Sequence, residues 1–203
     1  MLLKRWWWVI LLAAVAGPVI GLFVAAVMTY MMPKHYESTA MVQVVEDPRV
    51  AALPSLPTEC KVIKTQKTLE LVSEALELPT RWGMDRDQVL ASLMTMIDVR
   101  NIPGTDLIVI KVRHTNAEDA RDVAMEAAKA YRARRTEIVG EHLGAGEIPR
   151  ESVILHEQPT LALRPASPNV PLNLAVGAGG GLVCGLLLAF PAMGALNRIF
   201  RRP

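Results

Sequence analysis

Three observations predict an α+β domain carried between two transmembrane helices. An uncharged run of 27 residues, Trp6 to Met32, lies near one end of the chain and another of 25, Leu172 to Leu196, near the other. All 20 acidic residues fall within 33–171, so the middle carries a net −3 while the two ends carry +5. Inside that middle, short stretches alternate apolar and polar residues with period two, and longer ones repeat at helical spacing. The net charge of +2 over 203 residues excludes a polybasic nucleic-acid binder, and the 51% hydrophobic content excludes a disordered chain. The implied segments are 1–32 (N-terminus and first membrane helix), 33–171 (extracytoplasmic domain) and 172–203 (second membrane helix and tail).

Each apolar run exceeds the roughly 20 residues that a helix needs to cross a hydrocarbon core of about 30 Å. The first is too long for the apolar core of a signal peptide, and no small-x-small cleavage site precedes Lys34-His35. It reads as an uncleaved anchor. Basic residues gather on the outer flanks, Lys4 and Arg5 before the first helix and Arg198, Arg201 and Arg202 after the second. Such residues mark the cytoplasmic side, which puts both termini in the cytoplasm and the domain outside it. Small residues recur every fourth position: Ala13, Gly17, Gly21 and Ala25 in one helix, Gly177, Gly181 and Gly185 in the other. Lines of this kind let helix backbones touch, so the helices are expected to pair or to oligomerise.

Along the domain, Tyr36–Val45 reads as a strand with Val42 and Val44 on one face. Glu46–Pro57 is a loop with three prolines. Thr58 is placed as the cap of a helix running to Leu78, with Val62, Leu69, Val72, Ala75 and Leu76 inward and Pro79 as its stop. Asp85 starts a short helix that turns Val89, Leu90 and Leu93 inward. Met96–Arg100 and Leu107–Arg113 form a hairpin across Pro103-Gly104, with Ile108, Ile110 and Val112 toward the core. Thr115-Asn116-Ala117-Glu118 matches a capping box, with Thr115 as the cap. The helix behind it presents Ala120, Val123, Ala124, Ala127 and Tyr131 and should end near Gly140. Ser152–Glu157 is the last strand. The order is that of a ferredoxin-like (split βαβ) domain, in which first and last strands are neighbours. Such a fold would bring the two membrane helices together. Cys60 and Cys184 fall on opposite sides of this division and are not expected to pair.

Taken together these residues resemble the Wzz-type chain-length determinants, a family of polysaccharide co-polymerases. Four parts carry the resemblance, in order. They are the first membrane helix with its strand; Val62–Trp82 (VIKTQKTLELVSEALELPTRW); the run from Leu90 to Tyr131 containing LIVIKVRHTNAEDARDVAMEAAKAY; and Leu163–Gly185 (LRPASPNVPLNLAVGAGGGLVCG). The last is the most specific, joining a Pro-rich motif (Pro165, Ser167, Pro168, Asn169, Pro171) to a Gly-rich membrane helix. Family members usually extend the second domain helix into a long arm. Here only Arg132–Arg150 could hold one, and Gly140, Gly144, Gly146 and Pro149 interrupt it, so this is read as a short form without the arm. The prolines at every third position favour a stiff, extended approach to the second membrane helix.

No Walker loop, GxSxG, HExxH or CxxC occurs, and His35, His114, His142 and His156 lack metal-ligand spacing. No catalytic residue, cofactor or metal ligand is assigned. Arg121, Asp122, Glu126, Lys129, Arg132, Arg134 and Arg135 read chiefly as a solvated helix face, with Arg132, Arg134 and Arg135 as a minor candidate for meeting an acidic neighbour or an anionic sugar. The resemblance implies a non-enzymatic, homo-oligomeric protein of the bacterial inner membrane that modulates the chain length or export of a surface polysaccharide. Its partners would be a polymerase and the lipid-linked polysaccharide. The alternative is an adaptor whose basic tails activate a separate cytoplasmic tyrosine kinase.

Overall fold

The computed structural model describes residues 2–46, 48–50, 55–143 and 152–199. The chain divides into two compact units, one of residues 1–34 with 167–203 and one of residues 35–166. The first unit is a pair of helices, α1 (Leu2–Met31) and α7 (Val170–Ile199). Within them Trp7–Met31 and Val170–Ala195 are long and apolar enough to cross a membrane.

The second unit is a mixed α/β body. It holds β1 (Tyr36–Val44), α2 (Leu56–Ile63), α3 (Gln66–Ala75), α4 (Leu78–Trp82), α5 (Arg86–Met96), β2 (Ile97–Asn101), β3 (Leu107–His114), α6 (Ala117–His142) and β4 (Val153–Glu157). The four strands form one antiparallel sheet in the order β2-β3-β1-β4. The β1–β3 ladder runs from Tyr36 opposite His114 to Gln43 opposite Leu107. The β1–β4 ladder shifts register between Met41 and Val42.

Alternation along the strands makes the core. Ala40, Val42 and Val44 of β1 and Ile108, Ile110 and Val112 of β3 are buried on one face. Against them lie Val123, Ala124, Ala127 and Tyr131 of α6, Leu69 and Val72 of α3, and Val89 and Leu93 of α5. The alanines of α6 let that helix sit close to the sheet, and each buried Val, Leu or Ile contributes about 1.5–3 kcal/mol. The hairpin turn between β2 and β3 places Gly104 at φ +77, where a Cβ would be strained.

Several expectations are corrected. The helix expected from Thr58 to Leu78 is broken at Lys64-Thr65 into α2 and α3. On one continuous helix, Ile63 and Leu69 would point about 120° apart at 3.6 residues per turn; the break turns both into the core, where both are 0% exposed. Thr65 makes the break by adopting an extended backbone, and its hydroxyl donates to the Val62 carbonyl at 2.7 Å. The N-cap position is Ser55, not Thr58. Ala75, expected inside, is exposed. Pro79 does not stop a helix but sits in the first turn of α4, where its missing N–H costs nothing; the chain turns just before it at Glu77, φ +48. The cap of α6 is Asn116, not Thr115: its Oδ1 accepts from the Glu118 N–H at 2.9 Å. Helix α6 ends at His142, near Gly140 as expected, though Gly140 itself stays helical; the other expected breakers, Gly144, Gly146 and Pro149, lie outside the described residues.

Candidate functional site

The five glycines read from spacing meet one another across α1 and α7. Gly17 faces Gly181 and Gly185, Gly21 faces Gly177 and Gly181, and Gly185 also meets Ala13. Pairing falls in one helix as it rises in the other, so the two run antiparallel. A Cβ added to Gly177 would stand 2.6 Å from the Gly21 carbonyl oxygen, and one added to Gly185 2.7 Å from that of Ala13. A Cβ on Gly181 would meet Gly17 carbonyl carbon at 2.9 Å and Gly21 Cα at 3.0 Å. Backbone therefore lies on backbone, and only the hydrogen side chain fits. The partner of the glycine line is the chain's own second helix.

One polar bond joins the same pair: Asn173 Nδ2 donates to Thr29 Oγ1 at 3.1 Å. Beside the contact line runs an apolar groove of about 600 Å³, walled by Ile20, Val24 and Met28 of α1 and by Gly180, Cys184 and Leu188 of α7. Gly179 and Gly180 have open space where a Cβ would be, so the helix contact does not use them.

The Pro-rich motif leads into α7. Asn169 starts the helix, its Oδ1 accepting from Leu172 N–H at 3.3 Å and its carbonyl from Asn173 N–H at 3.0 Å. Pro171 lies in the first turn. The segment bends at Arg164, Ala166 and Pro168, so the expected continuous extended approach is not formed. Pro165 precedes Ala166, whose N–H donates to the His35 carbonyl at 2.8 Å. Of the basic flanks, Lys4, Arg5 and Arg198 lie on helical backbone with side chains outside the described set, and Arg201 and Arg202 lie outside the described residues.

The domain carries two polar clusters that the sequence pattern does not place. In the first, Glu59 of α2 and Arg135 of α6 form an ion pair with each side chain 1% exposed, and the Tyr131 hydroxyl donates to Glu59 Oε2 at 2.9 Å. Burial, and then the Glu59 charge, push the Tyr131 phenol far up, so it stays a donor. Burial and Glu59 also raise the neighbouring Cys60 thiol, which keeps it protonated and unreactive. Arg135 is thus no part of a solvated face, and Arg134 is held by Glu137 at 2.5 Å. The available signal is that Tyr131 and Arg135 stand four apart on the inward side of α6. It is not enough by itself, because the pairing partner is 76 residues away.

In the second cluster Arg81 of α4 reaches Asp119 at 2.5 Å and Asp122 at 3.2 Å, and Trp82 Nε1 donates to Asp119 Oδ2 at 3.1 Å. Burial raises the Asp122 carboxyl, but bonds from Arg121 and Arg81 outweigh it and hold the group low. His114, at the end of β3, stacks on Trp82 with centroids 5.2 Å apart. Among the described residues no three His, Cys, Asp or Glu side chains are grouped to hold a metal ion.

No curated protein matches this chain. A solved structure, titled a full-length bacterial polysaccharide co-polymerase, is similar at a TM-score of 0.44 and 9% identity, covering 99% of this chain and 97% of that one. The family evidence comes instead from the sequence of the N-terminal part: residues 1–77, which hold α1, β1, α2 and α3, match the family model of Wzz, the chain length determinant protein.

Proposed function

We propose that this protein regulates chain length in the synthesis of a surface polysaccharide, acting as a non-catalytic scaffold in the bacterial inner membrane. The observation that carries the reading is the match of residues 1–77 to the chain length determinant family, a stretch that includes Gly17 and Gly21 of the helix contact. In this reading residues 33–171 form the extracytoplasmic domain, both termini are cytoplasmic, and the domain is a ferredoxin-like one. The strand order β2-β3-β1-β4, with its antiparallel ladders, supports that fold. The basic flanks Lys4, Arg5, Arg198, Arg201 and Arg202 support the topology.

The mechanism rests on rigidity. Gly17, Gly21, Gly177, Gly181 and Gly185 hold two membrane helices as one body, and Pro165–Pro171 leads into the second of them. Several copies side by side would offer a polymerase a fixed wall, against which the lipid-linked chain is handed on or released. Because the protein does no chemistry in this scheme, it changes the distribution of product lengths and not the linkage formed.

The test is genetic. Deleting the gene should broaden or shift the length distribution of one surface polysaccharide on a gel, and the wild-type gene on a plasmid should restore it. Gly181→Leu should restore it poorly. An unchanged distribution and amount of every surface polysaccharide in the deletion strain would end the proposal.

A further inference from the structure

One atom in the domain has two partners that it cannot serve at once. His114 Nδ1 lies 3.2 Å from the amide nitrogen of Asn116, which donates to it, and 3.4 Å from Asp119 Oδ2. The amide demands a lone pair at Nδ1. The carboxylate demands a proton there. A neutral imidazole with its hydrogen on Nε2 satisfies Asn116 and leaves Asp119 to Trp82 and Arg81. An imidazolium must release the amide and donate to Asp119. The ring also lies nearly parallel to the Trp82 indole, at an interplanar angle of 17°. Charging it therefore converts a stacked pair into a cation–π contact.

The charged groups around the ring are mixed. From α6 come Glu118, Asp119 and Asp122 together with the positive end of the helix. From α4 comes Arg81, already bound to both aspartates. From β1, Tyr36 stands opposite in the ladder, with His35 before it. Within β3, Arg113 is engaged by Glu37 at 2.8 Å. The ring is 20% exposed, so protons reach it from solvent.

We propose that His114 is an acid-responsive latch at the junction of β3, α4 and α6. Proton uptake from solvent at Nδ1 exchanges the bond to the Asn116 amide for a charged bond to Asp119. It draws Trp82 and α4 onto the start of α6 while freeing the turn between β3 and α6. The exchange sits next to the cap of α6, since Asn116 is that cap. It also sits beside Tyr36, the first residue of β1, which follows α1 in the chain. An extracytoplasmic domain meets the pH of the surroundings, and imidazole is the side chain that changes charge between about pH 5 and 8.

The experiment uses the full-length chain in lipid nanodiscs with Trp6, Trp7 and Trp8 changed to Phe, leaving Trp82 as the one indole. Imidazolium against an indole face quenches its emission. Emission should fall in a single step as pH is lowered through the imidazole range. The step should be lost in His114→Gln, which keeps an acceptor but not the charge. Histidine ¹⁵N NMR of the chain with all its tryptophans gives an independent readout. There the His114 signal, identified by its loss in His114→Gln, should show the Nε2–H tautomer at high pH and the doubly protonated ring at low pH. Flat emission, a step that survives in His114→Gln, or an Nδ1–H tautomer at high pH would each overturn the proposal.

Discussion

Gly181 is where the structure makes its sharpest demand. A Cβ there would lie 2.9 Å from Gly17 carbonyl carbon and 3.0 Å from Gly21 Cα, and closer still to the Gly17 oxygen. Carbon atoms pack at about 3.5–4.0 Å, so the helices must part by roughly 0.5–1 Å to admit a side chain, forfeiting about a quarter to a half of each contact along the line. The obstructing atoms are backbone and cannot swing aside. Overpacking of this kind costs about 1–3 kcal/mol, which corresponds to about a 5–150-fold loss of the closed pair. The assay places Thr29→Cys and Asn173→Cys, whose native side chains are bonded at 3.1 Å, in a background with Cys60→Ser and Cys184→Ser. The rate of intrachain disulfide formation is then read by maleimide labelling of the remaining thiols. Gly181→Leu should slow the reaction by a factor in the range above. Gly180→Leu should not, because nothing lies within 4 Å of its Cβ position. Equal rates for Gly181→Leu and its parent, or equal slowing by Gly180→Leu, would refute the reasoning.

Two further outcomes concern the domain. Glu59→Ala leaves Arg135 buried without its counter-charge, and breaking a buried pair in this way costs about 3–5 kcal/mol. Equilibrium denaturation should show that loss, with a milder effect in the double variant Glu59→Leu with Arg135→Met; a change under about 1 kcal/mol in the single variant would contradict the burial argument. Glu37 gives a pH effect of known sign. Burial alone would raise its carboxyl, but bonds from Lys111 and Arg113 prevail and hold it below the ordinary value of 4.5. A depressed acid contributes stability that is full above its unfolded pKa and is lost as pH falls through the folded one. Stability should therefore drop below about pH 4.5, and Glu37→Gln should flatten that part of the curve, as measured by denaturant midpoints against pH.

Whether a feature is legible in the sequence depends on whether its controlling contact is local. The β2–β3 hairpin is legible because Ile108, Ile110 and Val112 alternate and Pro103-Gly104 marks the turn. Helix α5 is legible from Asp85 and the spacing of Val89, Leu90 and Leu93. The break at Thr65 is not, because the helix-forming residues on both sides of it outvote one threonine. Only the need to bury both Ile63 and Leu69 reveals why it exists. Pro79 misleads for a related reason: proline excludes itself from a helix interior but is welcome in a first turn, and sequence does not say which turn it occupies. The glycine spacing announces a backbone contact, yet Gly17 and Gly181 carry no mark of whether they meet within one chain or between two. The Glu59–Arg135 pair joins residues 76 apart and leaves no periodic trace.

The closure of the domain bears on how firmly the helix pair is held. Strands β1 and β4 are hydrogen-bonded neighbours, and the Ala166 N–H reaches the His35 carbonyl at 2.8 Å, so the two ends of residues 35–166 are tied together by the domain itself. Bringing together the ends of a flexible chain of about 130 residues would cost about 4 kcal/mol by loop-closure entropy. A folded domain meets that cost, so the association of α1 and α7 is in effect intramolecular over a short tether. This exceeds the roughly 1–3 kcal/mol expected for a side chain at Gly181. The clash therefore loosens the pair without freeing α7, and the disulfide rate falls by a finite factor instead of vanishing. The glycines set how closely the two backbones come together, because at Gly17, Gly21, Gly177, Gly181 and Gly185 backbone lies on backbone.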